Sequence, residues 1–147
     1  MKDSKIMLDS PLITKSKEFA LHIIKVCNYV KQNKKESVLT NQLIRSGTSV
    51  GANIREAFYG HGTADFIAKL QIALKECSES EYWLELLIES GYYDNRDILD
   101  KCIEVKKLLI TSINTAKSKI NKLFSKTFLA FSLSFGIMCL PDRKSVV

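Results

Sequence analysis

Proline and glycine are scarce in this sequence, with two prolines and six glycines among 147 residues. Because these residues interrupt helices and strands, their scarcity predicts long, uninterrupted elements. The four cysteines (Cys27, Cys77, Cys102 and Cys139) are far apart and form no CxxC pair. The two histidines have no ligand spacing with them, which argues against zinc. We expect reduced, mostly buried thiols, no metal and no cofactor.

Signals for secretion, membrane insertion and catalysis are also lacking. The N-terminal MKDSKIMLDSP has no apolar signal core, so we expect a cytoplasmic protein. No nucleophile elbow, HExxH or metal-spaced carboxylate set occurs. Glu18 and His22 miss the Glu-x-x-His spacing of diiron bundles by one residue. We therefore expect no catalytic residues and a non-enzymatic protein.

What the sequence does contain is helical periodicity. Apolar residues recur every three or four positions in four segments, and no alternating strand pattern appears before residue 125. The predicted helices span residues 11–34, 38–59, 64–90 and about 95–123. Thr63 is expected to cap the third helix, and Asp94 or Asn95 the fourth. Short links between amphipathic helices predict one domain, an antiparallel up-down-up-down four-helix bundle.

The stretch RSGTSVGANIREAFYG, residues 45–60, raises two interpretations. A phosphate-binding loop would need the pattern G-x-x-x-x-G-K-[ST] after a buried strand. Here the two glycines are four positions apart instead of five, and no Lys-Ser or Lys-Thr pair follows the second. As part of the second helix, Gly47 and Gly51 lie one turn apart on one side. Each glycine costs about 1 kcal/mol relative to alanine, so we predict that a neighbouring helix packs closely there.

Polar residues follow the same helix beside its apolar stripe. Arg45, Ser49, Asn53 and Glu56 are spaced by three or four positions. This pattern fits either a solvated face or a hydrogen-bonded polar seam between helices, in which every buried group needs a partner. For the seam we hypothesise that Arg45 pairs with Glu81 or Glu76 of the third helix, because Glu81 lies between apolar Cys77 and Leu84.

These two helices carry a family resemblance. LTNQLIRSGTSVGANIREA followed by FIAKLQIALKECSESEYWLELL resembles the bacterial proteins encoded in intervening sequences of 23S ribosomal RNA genes. The family pattern Gln-Leu-x-Arg-Ser, then Ser-x-x-x-Asn-Ile-x-Glu, matches from Gln42 to Glu56, and Lys-Glu-x-x-Glu with Tyr-Trp-Leu matches from Lys75 to Leu84. The resemblance covers about residues 10–122.

The resemblance implies a single-domain helical bundle that assembles into a ring-shaped homopentamer, with no established biochemical role. A related group, the accessory proteins of diversity-generating retroelements, is similar in fold. Members of that group bind nucleic acid and a reverse transcriptase through a basic surface. RNA or DNA and a protein such as a reverse transcriptase are therefore candidate partners of this chain.

Charge is unevenly distributed along the chain, whose net charge is +6. Residues 1–37 and 93–126 each carry eight basic and four acidic side chains, whereas residues 63–92 carry two and six. An acidic helix facing a neighbour's basic helix would orient subunits in a ring, and basic surfaces would equally contact phosphates. The candidate nucleic-acid contacts are Arg96, Lys106, Lys107 and Lys117. A solvated face and a scaffold for a protein partner remain the alternatives.

The C-terminal segment, residues 127–147, departs from this pattern. TFLAFSLSFGIMCL has 14 residues without charge, fewer than the about 20 that a membrane span needs. It reads as an extra apolar helix, as an oligomer contact, or as non-native sequence. The last interpretation is favoured because DRKSVV resembles the translation of a common sequencing adapter. We accordingly place the bundle in residues 1–126, and we expect no membrane contact.

Overall fold

The computed structural model describes the backbone of residues 10–138 and the side chains of residues 10–130. This part of the chain forms four α-helices and contains no strand. They are α1 (Pro11–Lys34), α2 (Val38–Tyr59), α3 (Thr63–Glu89) and α4 (Asp97–Met138). The all-α class and the four helices are confirmed. The largest difference is the length of α4, which continues past the predicted end near residue 123.

The atypical C-terminal segment thus begins inside α4. Residues 127–138 continue that helix without a break, which agrees with the helical interpretation of the segment. Residues 139–147, which include Cys139 and the DRKSVV sequence, lie outside the described residues. The boundary placed after residue 126 stays a prediction.

The junction of α1 and α2 contains a cap that the sequence analysis missed. The chain leaves α1 at Lys35, which has a left-handed backbone with φ of 57°. The carboxylate of Glu36 then accepts hydrogen bonds from the backbone N–H groups of Leu39 (2.8 Å) and Thr40 (3.0 Å). These donors are among the first of α2 and have no partner within the helix. A carboxylate suits this position because the helix N-terminus is electropositive.

The other two connections contain glycine and capping side chains. Gly62 and Gly91 adopt left-handed backbone conformations, with φ of 128° and 72°. Asn95 accepts a hydrogen bond from the Asp97 N–H, the first of α4, at 2.7 Å, although Arg96 is the residue that directly precedes the helix. Thr63, which was expected to cap α3, is instead its first helical residue, and Gly62 holds the capping position.

One apolar core runs through the bundle. On α1, buried side chains recur at the predicted helical spacing, and Phe19, Ile23 and Val30 are completely buried. On α3, Leu87 is buried whereas Ile88 is only partly covered. The largest completely buried aliphatic side chains of α2 to α4 are Leu43, Ile54, Leu70, Leu84, Leu87 and Leu109. Burial of a leucine or isoleucine side chain contributes about 1.5–3 kcal/mol.

Each helix packs against two others. Consecutive helices pack in the order α1, α2, α3, α4, and α4 also packs against α1. The core stripe of α4 ends near Ala116 and the partly buried Ile120. Beyond that point α4 extends past its neighbours, and large apolar side chains there are exposed, including 67% of Leu123 and 70% of Phe124.

The two glycines of α2 differ in how closely α1 approaches them. A Cβ atom on Gly47 would lie 2.9 Å from both Cγ atoms of Ile23, which is too close for any carbon pair. A Cβ atom on Gly51 would lie 3.7 Å from the Ser16 carbonyl oxygen, an ordinary contact. Because both glycines lie inside a helix, the phosphate-loop interpretation is excluded. The close approach of α1 is therefore at Gly47, whereas Gly51 leaves room for a methyl group.

Gly47→Ala and Gly51→Ala form a matched pair with opposite expected effects. At Gly47 the new methyl group would displace buried Ile23, which costs about 1–3 kcal/mol and outweighs the gain in helix propensity. At Gly51 the methyl group fits, so the variant should gain up to about 1 kcal/mol. Urea unfolding followed by circular dichroism measures both changes. A Gly47→Ala protein as stable as the Gly51→Ala protein would contradict the close approach.

Candidate functional site

The polar contact at the centre of the α2–α3 interface is a serine pair. Ser80 donates a hydrogen bond to Ser46 at 2.9 Å, and the Ser46 hydroxyl also lies 3.3 Å from the Leu43 carbonyl oxygen. Both serines are buried. Ser46 precedes Gly47 in the part of α2 that faces the core, so its small side chain permits a close approach by α3. The sequence analysis missed this pair, although Ser46 belongs to the Arg-Ser motif.

The expected polar seam divides into separate contacts. Asn53 donates to the Ser49 carbonyl (2.9 Å) and hydroxyl (3.1 Å) one turn earlier, so these two residues satisfy each other within α2. Glu56 is exposed and accepts from Lys69 of α3 at 2.6 Å. The hydrogen bond from Lys69 to Glu56 raises the pKa of the lysine. The seam residues therefore stabilise α2 locally and link it to α3 near the Gly60–Gly62 connection.

The ion pair proposed from the sequence is wrong in its basic partner. Glu81 pairs with Lys106 of α4, not with Arg45 of α2. Arg45 is exposed, and it forms no ion pair with any residue whose side chain the structure describes. The physical reason is that Arg45 lies one position before the buried Ser46–Gly47 face. Its charge therefore remains in water, where it needs no partner.

The Glu81–Lys106 pair connects α3 to α4 at a partly covered position. The exposed fractions are 22% for the Glu81 side chain and 31% for the Lys106 side chain. The hydrogen bond to Glu81 raises the pKa of Lys106, so the lysine keeps its charge in the folded protein. Glu76, the other proposed acidic partner, is half-buried one turn before Ser80, and its carbonyl oxygen lies 2.8 Å from the Ser80 hydroxyl.

The four candidate nucleic-acid contacts are not equivalent. Arg96 precedes α4 and is exposed, and Lys107 and Lys117 are exposed on α4 itself. Lys106 is half-buried and its charge is matched by Glu81. The geometry therefore leaves Arg96, Lys107 and Lys117 accessible to an anionic partner, and it gives Lys106 a structural role.

The two basic helices are neighbours in the bundle. α1 packs against α4, and Lys15 of α1 forms an ion pair with Glu104 of α4 at 3.2 Å. Exposed lysines occur along α1 (Lys17, Lys25 and Lys34) as well as along α4. The two positively charged helices are thus adjacent in the bundle, which the sequence alone could not show.

Residues 10–138, which the structure describes, contain neither a candidate metal site nor a candidate membrane span. No group of three or more His, Cys, Asp or Glu side chains in this part of the chain is placed to hold a metal ion. Over the same residues, none of the helices combines the length and apolar character required to cross a bilayer.

The helices, their core and their interhelical polar contacts define an all-α four-helix protein. The chain belongs to the 23S rRNA-intervening sequence protein family, whose model matches residues 9–111. This match includes the Arg45–Glu56 segment and all of α3.

A solved structure supports the same assignment. The chain is similar to a crystal structure of a protein with unknown function from the S23 ribosomal protein family of Bacteroides thetaiotaomicron VPI-5482. The two share 48% sequence identity with a TM-score of 0.68, over 69% of this chain and 97% of the other. No curated protein matches the chain.

A double-mutant cycle distinguishes the pairing in the structure from the pairing expected from the sequence. Glu81→Gln and Lys106→Met should show a coupling free energy of about 1 kcal/mol, because both side chains are partly shielded from water. Arg45→Met and Glu81→Gln should show none beyond error. The free energies of unfolding come from urea titrations at pH 7. Equal coupling in the two cycles would contradict the Glu81–Lys106 assignment.

The contribution of Lys106 to stability has a defined pH dependence. Because the folded pKa of Lys106 lies above its ordinary value of 10.5, its contribution to stability is fully present below that pH. The contribution is lost as the pH rises through the folded pKa. The free-energy difference between the wild type and Lys106→Met should therefore be constant from neutral pH to about pH 10 and shrink above it.

Proposed function

We propose that this chain is a non-enzymatic, cytoplasmic protein that assembles into a homopentameric ring and binds RNA or DNA nonspecifically. The observation that carries the proposal is the packing of basic α1 against basic α4, with lysines exposed on both. Nonspecific binding draws most of its free energy from contacts between such side chains and phosphates. Lysines outnumber arginines on these two helices, which suits phosphate contact better than base recognition.

The proposed topology is an antiparallel up-down-up-down bundle. The connections are short, at residues 35–37, 60–62 and 90–96, and short connections favour antiparallel neighbours. Contacts between α2 and α3 support this direction, because Ser46 near the middle of α2 meets Ser80, whereas Glu56 near its end meets Lys69. The partner moves towards the start of α3 as the chain advances along α2.

The division of charge supports the proposed ring assembly. Acidic α3 lies between α2 and α4, and its glutamates Glu85 and Glu89 are exposed. We propose that this helix of one subunit faces the basic α1–α4 side of the next, which would fix the orientation of neighbours. Part of the basic surface would then be used in assembly, and the remainder would contact phosphates.

A protein-interaction scaffold is the second candidate function. It is favoured by exposed aromatic side chains on the other two helices: Tyr59 at the end of α2 is 75% exposed and Tyr82 of α3 is 53% exposed. Tyr82 also packs on Trp83, with 5.1 Å between ring centroids. Exposed tyrosine and tryptophan side chains are frequent anchors of protein interfaces. A partner of this kind, such as a reverse transcriptase, would need no nucleic-acid contact.

Charge reversal tests the nucleic-acid function directly. The variant Arg96→Glu/Lys107→Glu/Lys117→Glu reverses three exposed positive charges, one just before α4 and two on it. Its RNA binding should be at least tenfold weaker at low salt, and the slope of log K against log salt should fall by about two, because each phosphate contact on a single strand contributes about 0.7. Fluorescence anisotropy with a labelled single-stranded RNA, at salt concentrations from about 50 to 200 mM, measures both quantities.

The matched control reverses three exposed charges elsewhere. Arg45→Glu/Arg55→Glu/Lys75→Glu changes the net charge by the same amount on α2 and α3. It should bind RNA nearly as tightly as the wild type if position matters. Equal weakening in both variants, or no binding by the wild type at low salt, would contradict the proposal and leave the scaffold function.

Assembly is tested by mass in solution. Light scattering coupled to size-exclusion chromatography should give five times the 16.6 kDa chain mass for the full chain. Residues 1–126 should give the same number of subunits if the ring uses the helical bundle alone. A monomer in both cases would contradict ring assembly, whereas a pentamer only for the full chain would assign the contact to the C-terminal segment.

A further inference from the structure

Two cysteine thiols meet at the α3–α4 interface. The Sγ atoms of Cys77 on α3 and Cys102 on α4 lie 3.6 Å apart, and neither residue is exposed to solvent. Each sulfur also lies near the backbone carbonyl of the other residue, at 3.6 Å for Cys77 and 3.5 Å for Cys102. The two helix backbones therefore approach each other at the level of this pair.

This arrangement is close to that of a disulfide. A disulfide needs two sulfurs about 2.05 Å apart on backbones whose Cα atoms are about 4.4–6.8 Å apart. Because each sulfur already reaches the other residue's carbonyl, small movements of the two side chains bring the sulfurs into bonding distance. Cys27 differs, because its thiol donates to the Thr40 carbonyl at 3.4 Å and burial raises its pKa to about 11.

The hydrogen bond between the two thiols distinguishes the sulfurs. Either thiol can donate it, and the bond lowers the pKa of the sulfur that accepts. With Cys102 as the donor, the pKa of Cys77 is lowered and that of Cys102 is raised, while burial raises both. The nearby Lys106 ammonium favours the thiolate at both sulfurs and the Glu81 carboxylate opposes it. Since the thiolate is the nucleophilic form, the accepting sulfur reacts first.

We propose that Cys77 and Cys102 form a reversible disulfide that joins α3 to α4 when the protein meets a hydroperoxide. This inference is independent of nucleic-acid binding and of assembly. It makes the pair an oxidation site, with hydrogen peroxide as the simplest oxidant of this class.

The chemistry balances in two steps. With Cys102 as the hydrogen-bond donor, the Cys77 thiolate attacks one peroxide oxygen and the O–O bond breaks, which gives a sulfenic acid and hydroxide. The Cys102 sulfur then attacks the Cys77 sulfur, the S–O bond breaks, and the S–S bond forms. The two thiol protons end in two water molecules, and two electrons pass to the peroxide. A dithiol reductant reverses the reaction by thiol–disulfide exchange.

The burial of both sulfurs sets the pace of the reaction. Peroxide reaches them only when the α3–α4 contact opens locally, so oxidation should take minutes to hours. Once formed, the bond closes a loop between residues 25 positions apart, which restricts the unfolded chain. The oxidised protein should therefore melt about 5–15 °C higher than the reduced protein.

Peptide mapping of the full chain tests the proposal. The protein carries Cys139→Ser, so that this cysteine cannot form other disulfides, and it is treated with hydrogen peroxide under native conditions. We expect the number of free thiols to fall by two and the mass of the chain to fall by two hydrogen atoms. We also expect one cross-linked peptide containing Cys77 and Cys102. Dithiothreitol should restore both thiols and the lower Tm. Oxidation of these cysteines to separate sulfinic acids, without the cross-link, would overturn the proposal.

Three single variants provide the controls in the same background. Cys77→Ala and Cys102→Ala should lose both the cross-link and the rise in Tm, whereas Cys27→Ala should keep both. Circular dichroism checks that each variant is folded before oxidation. If either Ala variant does not fold, the mapped peptide and the reversible rise in Tm of the parent protein still decide the question. A rise in Tm that persists in folded Cys77→Ala would also overturn the proposal.

Discussion

The close approach of α2 to both of its neighbours is the constraint on which the bundle depends. Gly47 presents no side chain to α1, so buried Ile23 packs directly against the α2 backbone. On the α3 side, Ser46 and Ser80 fill the interface with two small hydroxyl groups that hydrogen-bond to each other. A larger side chain at either position would separate helices whose apolar stripes form one core. The polar and small residues of this segment are therefore part of the packing.

Much of the fold could be predicted because it depends on short-range pattern. The spacing of apolar residues fixed the number and approximate bounds of the helices, and glycine with Asn95 marked the connection before α4. The end of α4 was less predictable, because helix propensity continues past the point where neighbouring helices stop. Glu36 was missed because it caps α2 from the connection that precedes the helix, directly after the left-handed Lys35.

The interhelical partners could not be predicted from one sequence. Arg45 and Glu81 were both expected in the polar seam. In the structure, Ser46 lies at the interface with α3, and Arg45, one position earlier on α2, lies in water. Lys106 was taken as a surface charge, since no pattern in α4 shows that it reaches Glu81. Likewise, the contact between Cys77 and Cys102 depends on the relative position of two helices along their axes. Periodicity identifies a face but does not align it with another.

The length of α4 has a consequence for how the molecule tolerates change. Its core positions end near Ile120, and the family match ends at residue 111, before the helix does. Among the described residues, none after Ile120 contributes a side chain to the core. Helix propensity alone therefore supports the helical conformation of that part of α4. Insertions, truncations or fusions in this part of α4 should leave the packing of the bundle unchanged. The protein thus offers a helical extension at one end of the bundle, to which another domain could be joined without rebuilding its interior.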